Sequence, residues 1–320
     1  MNQSRLFQNL TSKEIGIIVF HHFGKRSFSF HLLKGGMFNT TYQIDFSMGK
    51  SYVLRVGPVN RHLLLPFEEH LMLAEEQVYR LCREKGVPVP TVTACVTDKA
   101  IIDRDYMITE HIFSRCLNSP EISQQEKRKL YEDVGRITFQ LHGINGEKFG
   151  RVFDVLSGGG YDCWGDFLQS EFSQTVEKLR QHSIFQHGEL NMVEQIPGMY
   201  RDILNQIQEA HLIHTDLWEG NVLVTPDSQK VAALIDADRA LFGDTAYEFA
   251  SGWMINEAFL SGYGGIDSPT SDSILRQKIY TLLYRLIDTY VYLVEYDNIE
   301  GGMEAKEKVL ELTRDLLSRA

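Results

Sequence analysis

His211-Leu-Ile-His214-Thr-Asp216-Leu-Trp-Glu-Gly-Asn221-Val-Leu-Val224, followed after a gap by Leu234-Ile235-Asp236-Ala237-Asp238, is the stretch that decides the fold. Its apolar runs, Asn221–Val224 and Val231–Asp236, flank the turn residues Pro226-Asp227 and read as two paired strands. A strand pair returns the chain to its starting edge, so Asp236 comes back beside Asn221. One carboxylate, Asp216, then lies on a loop leading into the hairpin, and oxygen ligands lie at its two ends. Phosphoryl transfer needs that set: a base to orient and deprotonate a hydroxyl, and hard oxygens to hold magnesium against a triphosphate. The competing reading is a zinc triad of His211, His214 and Asp216. Apolar Leu212-Ile213 and the strand after Asn221 favour a packed loop histidine instead.

Upstream, three runs rich in aromatic and β-branched residues (27–34, 40–46 and 51–56) are separated by Gly35-Gly36 and Met48-Gly49-Lys50. They predict an antiparallel meander. A capped helix precedes them, with Thr11 as cap and Glu14 completing a capping box. A second helix is expected over 67–85, with Leu71, Ala74, Val78 and Leu81 at helical spacing, stopped by Gly86, Pro88 and Pro90. Strands at 91–97 and 105–109 complete a sheet. Beyond an aperiodic connector the pattern is mainly helical: 122–142, 167–182, 196–210, 246–259, 272–294 and 302–318. The expected class is therefore α+β and bilobal. A nucleotide-binding lobe spans 1–109, a hinge 110–118, and a larger helical lobe 119–320.

Composition is that of a globular chain of 320 residues, 43% hydrophobic and 23% charged. A net charge of −11 repels phosphate backbones, which argues against nucleic acid and leaves a cationic small molecule attractive. The first ten residues lack the pattern of a signal peptide, and no apolar run approaches the ~20 residues of a membrane span. A cytoplasmic location without membrane contact is the expectation. The scattered Cys82, Cys95, Cys116 and Cys163 read as free thiols. No P-loop pattern occurs, because neither Gly24-Lys25 nor Gly49-Lys50 has glycine five positions earlier, and no GxSxG elbow is present.

The sequence HTDLWEGNVLV…LIDAD resembles the aminoglycoside phosphotransferase and choline-kinase family, a small-molecule relative of the protein kinases. The resemblance implies ATP and Mg2+ as cofactors, Asp216 as catalytic base, Asn221 and Asp236 as metal ligands, and His214 as a buttress of the loop. Asp238 either assists the metal or is structural. Leu33–Tyr42 is similar to the family's glycine-bearing nucleotide loop, implying phosphate contacts from Gly35, Gly36, Asn39 and Thr40. Arg55 stands where many members carry the phosphate-binding lysine, with Glu75, or else Glu76, as its helix partner. The segment Tyr106–Ile112 resembles the hinge that grips adenine through main chain near Glu110 and Ile112. Gly243–Ala250 resembles a GDPxxDLA segment, with Glu248-Phe249 in place of Asp-Leu. Thr215 after His214, and Asp236-Ala237-Asp238 in place of DFG, separate the chain from protein kinases. The implied activity is transfer of the γ-phosphoryl group to a hydroxyl of a small molecule. An aminoglycoside or other amine-bearing acceptor is expected first; a macrolide, sugar, amino alcohol or amino acid is the alternative. A regulatory pseudokinase is disfavoured because Asp216, Asn221 and Asp236 are all present. An acidic pocket for amines is expected from carboxylates late in the chain: Glu257, Asp267, Asp272, Asp288, Glu295 and Asp297.

Overall fold

The computed structural model describes residues 4–33, 36–266 and 268–319. Helix α1 (Ser12–Phe23) opens with the expected capping box: Thr11 Oγ1 accepts from Glu14 N–H at 3.2 Å, and Glu14 accepts from Thr11 N–H at 2.7 Å. Strands β1 (Phe28–Leu32), β2 (Thr40–Phe46) and β3 (Ser51–Val56) form the meander. After helix α2 (Leu71–Glu84), strands β4 (Val92–Val96) and β5 (Tyr106–Glu110) complete an antiparallel sheet of order β1-β2-β3-β5-β4.

Alternation along the strands decides what each face meets. Tyr42, Ile44, Leu54, Val56 and Ile108 pack with Ile15, Ile18 and Val19 of α1. Arg55, between Leu54 and Val56, therefore points to the opposite face, where α2 lies. Helix α2 itself joins the core of the second lobe through Val78, Tyr79 and Cys82, and Met107 of β5 joins the same cluster. One side of the first lobe is thus welded to the second, which fixes the cleft between them.

The second lobe runs through β6 (Arg115–Cys116), α3 (Gln124–His142), β7 (Asn145–Gly146), β8 (Gly150–Arg151), α4 (Val152–Leu156) and α5 (Trp164–Gln181). It continues with α6 (His187–Met199), α7 (Arg201–Leu204), β9 (Ala210–Ile213), β10 (Val222–Val224), β11 (Val231–Leu234) and β12 (Leu241–Gly243). Helices α8 (Glu257–Tyr263), α9 (Ser271–Tyr290) and α10 (Ile299–Leu317) close the chain. Two small sheets, β11-β10-β6 and β7-β9-β12-β8, hold the loops that carry Asp216 and Asp236. The pairing Val222↔Leu234 confirms the expected hairpin. Its outer neighbour β6 arises inside the stretch read as connector.

Two helices differ from expectation. The helix expected over 196–210 lies earlier, because Pro197 sits near the end of α6 rather than at a helix start. The helix expected over 246–259 is a 3-10 turn (Thr245–Ser251) followed by α8, interrupted at Gly252, whose φ is +74°. Gly135 of α3 has a packing reason: a Cβ there would lie 2.1 Å from the carbonyl of Phe259 in α8.

Candidate active site

The loop between β9 and β10 is held from three directions. Glu248 accepts hydrogen bonds from the His214 and Thr215 amides at 2.7 and 3.0 Å. Tyr284 Oη of α9 donates to the Thr215 carbonyl at 3.0 Å. His214 Nδ1 accepts from the Asp216 amide at 3.3 Å, which leaves the proton on Nε2 to donate to Ile235 O at 3.0 Å. His214 thus ties the Asp216 loop to the strand end before Asp236, as a buttress would. Thr215 and Asp236 both adopt left-handed backbone, φ +68° and +66°. Side chains other than glycine hold that conformation only where surroundings enforce it, commonly at functional sites. His211 Nδ1 is hydrogen-bonded to the His142 carbonyl at 2.9 Å, and among the described residues no three His, Cys, Asp or Glu side chains converge as a metal cage. The zinc triad does not assemble.

Asn221 Nδ2 donates to Asp216 at both its carbonyl, 2.8 Å, and Oδ2, 2.9 Å. The amide oxygen of Asn221 consequently faces away from Asp216. Ile235 N–H donates to the Asn221 main-chain carbonyl at 3.0 Å, which brings the residue after it, Asp236, back to the Asn221 end of the hairpin. Burial, reinforced by the Asp236 charge, pushes the Asp216 carboxyl up to about 7, against the pull of Arg239 and the Asn221 hydrogen bond.

Across the cleft, Arg55 gathers four side chains. Nη1 donates to both carboxylate oxygens of Glu75 at 2.6 Å, so Glu75 and not Glu76 is the partner. Nη2 pairs with Asp236 Oδ1 and, at 2.7 Å, with Asp238 Oδ2. The Asn39 amide, turned with its oxygen to the guanidinium, accepts from Nε at 2.8 Å. Burial opposes the Arg55 charge, but Asp236, Glu75 and Asp238 outweigh it and hold the group well above its ordinary range. Burial also raises Glu75, offset by Arg55, and raises Asp238 well above its usual range with help from Asp236. Tyr79 Oη donates to Glu75 at 2.6 Å, locking α2 onto the cluster.

The remaining expected residues divide. A Cβ on Gly36 would meet the Asn39 carbonyl at 2.6 Å, so the tight turn requires glycine there. Gly35 lies outside the described residues. The Thr40 hydroxyl is buried, donates to Gln8 O at 2.9 Å and accepts from Arg104 at 3.2 Å, so its side chain braces the N-terminal segment and leaves only main chain at this position to meet phosphate. Glu110 ends β5 with its carboxylate on Lys50 at 2.6 Å, and the Ile112 amide has no partner among the described residues. The expected acidic pocket does not form as one group. Asp272 bonds Gln206 at 2.8 Å, Asp297 bonds Arg5 at 2.6 Å, Glu295 is fully buried, and Asp267 lies outside the described residues. Glu257 opens α8, and Asp288, one turn from Tyr284 on α9, accepts from Arg285 Nη1 at 2.9 Å. Glu248 was visible in the sequence only as a substitution; its extra methylene lets one carboxylate reach two loop amides.

A sheet lobe carrying a cation–carboxylate pair, facing a helical lobe with a clamped Asp-Asn loop, defines a phosphotransferase of the small-molecule kinase class. The family model for the phosphotransferase enzyme family matches residues 29–269, and the chain belongs to that family. Among solved structures it is similar to a thermostable mutant of aminoglycoside phosphotransferase APH(4)-Ia in ternary complex with AMP-PNP and hygromycin B. That match has 21% identity and a TM-score of 0.68, covering 95% of this chain and 98% of that one. A provisionally named fructosamine-3-kinase from Haemophilus somnus matches with 18% identity and a TM-score of 0.69, over 95% and 97% of the two chains. Among curated proteins it is similar to acyl-CoA dehydrogenase family member 11 of Homo sapiens, 24% identical over 249 residues, and of Pongo abelii, 25% identical over 221. The matches take in 73% and 68% of this chain but only 30% and 26% of those relatives' length.

Proposed function

We propose that the protein transfers the γ-phosphoryl group of ATP to a hydroxyl of a small molecule, with Asp216 as base. The carrying observation is the Asp216–Asn221 clamp set beside Asp236 and facing the Arg55–Glu75 pair. Asp216 Oδ1 carries no hydrogen bond among the described residues and is the oxygen left to take the acceptor proton. The acceptor oxygen forms its bond to the γ-phosphorus as the bond to the β-bridging oxygen breaks. That electron pair leaves on ADP, and the hydroxyl proton passes to Asp216.

The residues present fit a magnesium ion delivered with the nucleotide. The Asn221 amide oxygen and the free Asp236 oxygen are hard ligands on adjacent strand ends, and magnesium commonly takes only one or two protein oxygens beside phosphate and water. When bound, the ion supplies charge neutralisation on the phosphate oxygens. Arg55 contacts Asp236, and a phosphate oxygen of the nucleotide would compete for the same guanidinium edge. Glu75, fixed by Tyr79, keeps the guanidinium in place. The turn from Gly36 to Asn39 would cover the phosphates, and the main chain from Glu110 to Ile112 would meet the base. We place the division of the lobes at 110–118, with 1–109 and 119–320 on either side.

For the acceptor we favour an amine-bearing molecule, supported by the net charge of −11. A coupled ADP-release assay over aminoglycosides, amino sugars, neutral sugars and macrolides tests both levels. Turnover on an amine-bearing compound, with kcat/KM falling as salt rises, is expected. A neutral compound as best acceptor with a flat salt response would remove the cationic reading; no acceptor-stimulated ADP release from any class would count against the activity.

A further inference from the structure

Arg239 is charged, three residues past Asp236, and unused by the mechanism so far. Its side chain is 22% exposed, and Nη2 donates to Glu68 at 2.6 Å. The Glu68 side chain has no exposed surface and also accepts from the Leu65 amide at 2.9 Å. Phe38 and Phe67 flank the guanidinium, with ring centroids 5.6 and 5.7 Å from Cζ. Phe38 belongs to the turn after Gly36, so the arginine lies against the loop expected to cover the phosphates. The arginine's own carbonyl accepts from Thr215 Oγ1 at 3.1 Å, which sets it beside the Asp216 loop. Its Nε and Nη1 make no hydrogen bond among the described residues.

Glu68, the anchor beneath Arg239, is itself fixed by the Leu65 amide and lies beside a second buried carboxyl. Glu295 is fully buried in the π-helical turn after α9, with its carboxyl against that of Glu68. Burial and then the adjacent Glu68 push its carboxyl well above its ordinary range. With 22% of the Arg239 side chain exposed, its unpaired edge is open to a ligand beside the Gly36–Asn39 turn.

We propose that Arg239 is a catalytic residue whose free guanidinium edge grips the γ-phosphoryl group as it passes from ADP to the acceptor. This rests on the kinase reading above. The group bears most charge on its equatorial oxygens in flight, and a planar fork held rigid by Glu68 and two rings matches them without reorganisation. Arg55 and Glu75 hold the nucleotide before and after transfer; Arg239 acts on the group that moves.

The test is calorimetric titration of the full chain with MgADP, with and without fluoroaluminate, which mimics the phosphoryl group in flight. Wild type should bind MgADP and bind it more tightly by at least about tenfold with fluoroaluminate. Arg239→Met should keep MgADP affinity within about twofold and lose that enhancement; Arg239→Lys should keep part of it. Full enhancement in Arg239→Met overturns the proposal. So does equal loss of MgADP and fluoroaluminate binding, which marks a structural clamp. Should Arg239→Met fail to fold, Arg239→Lys with undiminished enhancement is the overturning result. A wild type that binds no MgADP would bring down the kinase reading itself, whereas one that binds MgADP without enhancement defeats only the role of Arg239.

Discussion

Arg55 shows at the residue scale how the site is poised. One guanidinium faces Glu75, Asp236 and Asp238, three carboxylates that would repel one another without it. Removing one partner of a buried ionic group costs about 3–5 kcal/mol. Arg55→Met should therefore lower stability by about that amount in thermal or denaturant unfolding, and magnesium should restore part of the loss by supplying another cation to the carboxylates. An unchanged melting temperature would mean the cluster is not formed in solution. Asp216 sets the pH response. A base pushed up to about 7 is protonated below that pH, so kcat/KM for MgATP turnover should fall tenfold per unit as pH drops through the limb. With MgATP bound the Asp236 charge is compensated, so the limb in kcat should lie at lower pH. A flat profile from pH 5 to 8 contradicts the assignment of Asp216 as base. Asp216, Asn221 and Asp236 could be picked out because they come in an ordered motif that resembles a family loop, and the hairpin between them is read from local signals. The direction of the Thr40 side chain was not legible, because sequence gives no sign of Gln8 and Arg104 drawing its hydroxyl inward.

At the scale of elements, the π-helical turn Val291–Glu295 carries a buried acid whose charge the fold disfavours. Glu295 sits well above its unfolded value because of burial and then Glu68. Between the unfolded and folded values the folded state holds the extra proton, so this group's contribution to stability is present at low pH and declines as pH rises, by at most about 1.4 kcal/mol per unit. Glu295→Gln removes that slope. The melting temperature of the variant should gain on wild type steadily from pH 5 to pH 8; a constant difference would show that Glu295 is already ionised. Strands and the first two helices followed from alternation and capping signals, which are local. Helix α6 escaped the sequence reading because Pro197, usually a helix opener, is tolerated near its end. The broken helix at Gly252 escaped because the 3-10 turn is fixed by Glu248 reaching for the Asp216 loop, a contact across the fold.

At the scale of the whole molecule, two lobes share one core through α2 and β5, so Arg55 and Asp236 are held across the cleft by packing as well as by charge. The bilobal class was legible because a glycine-turned meander precedes a helical half, and the order of the motifs is preserved over both. The acceptor end was less legible: the carboxylates late in the chain are spread apart and several are already paired, Asp272 with Gln206, Asp288 with Arg285 and Asp297 with Arg5. Asp236→Ala should abolish turnover and weaken MgATP binding far more than metal-free ATP binding in calorimetric titrations. Equal losses with and without magnesium would assign Asp236 to the fold alone.

The central claim is that Asp216 is the base for transfer of the γ-phosphoryl group to a small-molecule hydroxyl. Its most direct test follows the label of γ-radiolabelled MgATP into the best acceptor of the panel, by wild type and by Asp216→Asn. The substitution keeps the size of the side chain and its place beside Asn221 while removing the proton acceptor. Wild type should label the acceptor, and the variant's kcat should fall by about 10²–10⁴ with nucleotide affinity nearly unchanged. An Asp216→Asn protein that labels the same acceptor at close to the wild-type kcat would contradict the claim.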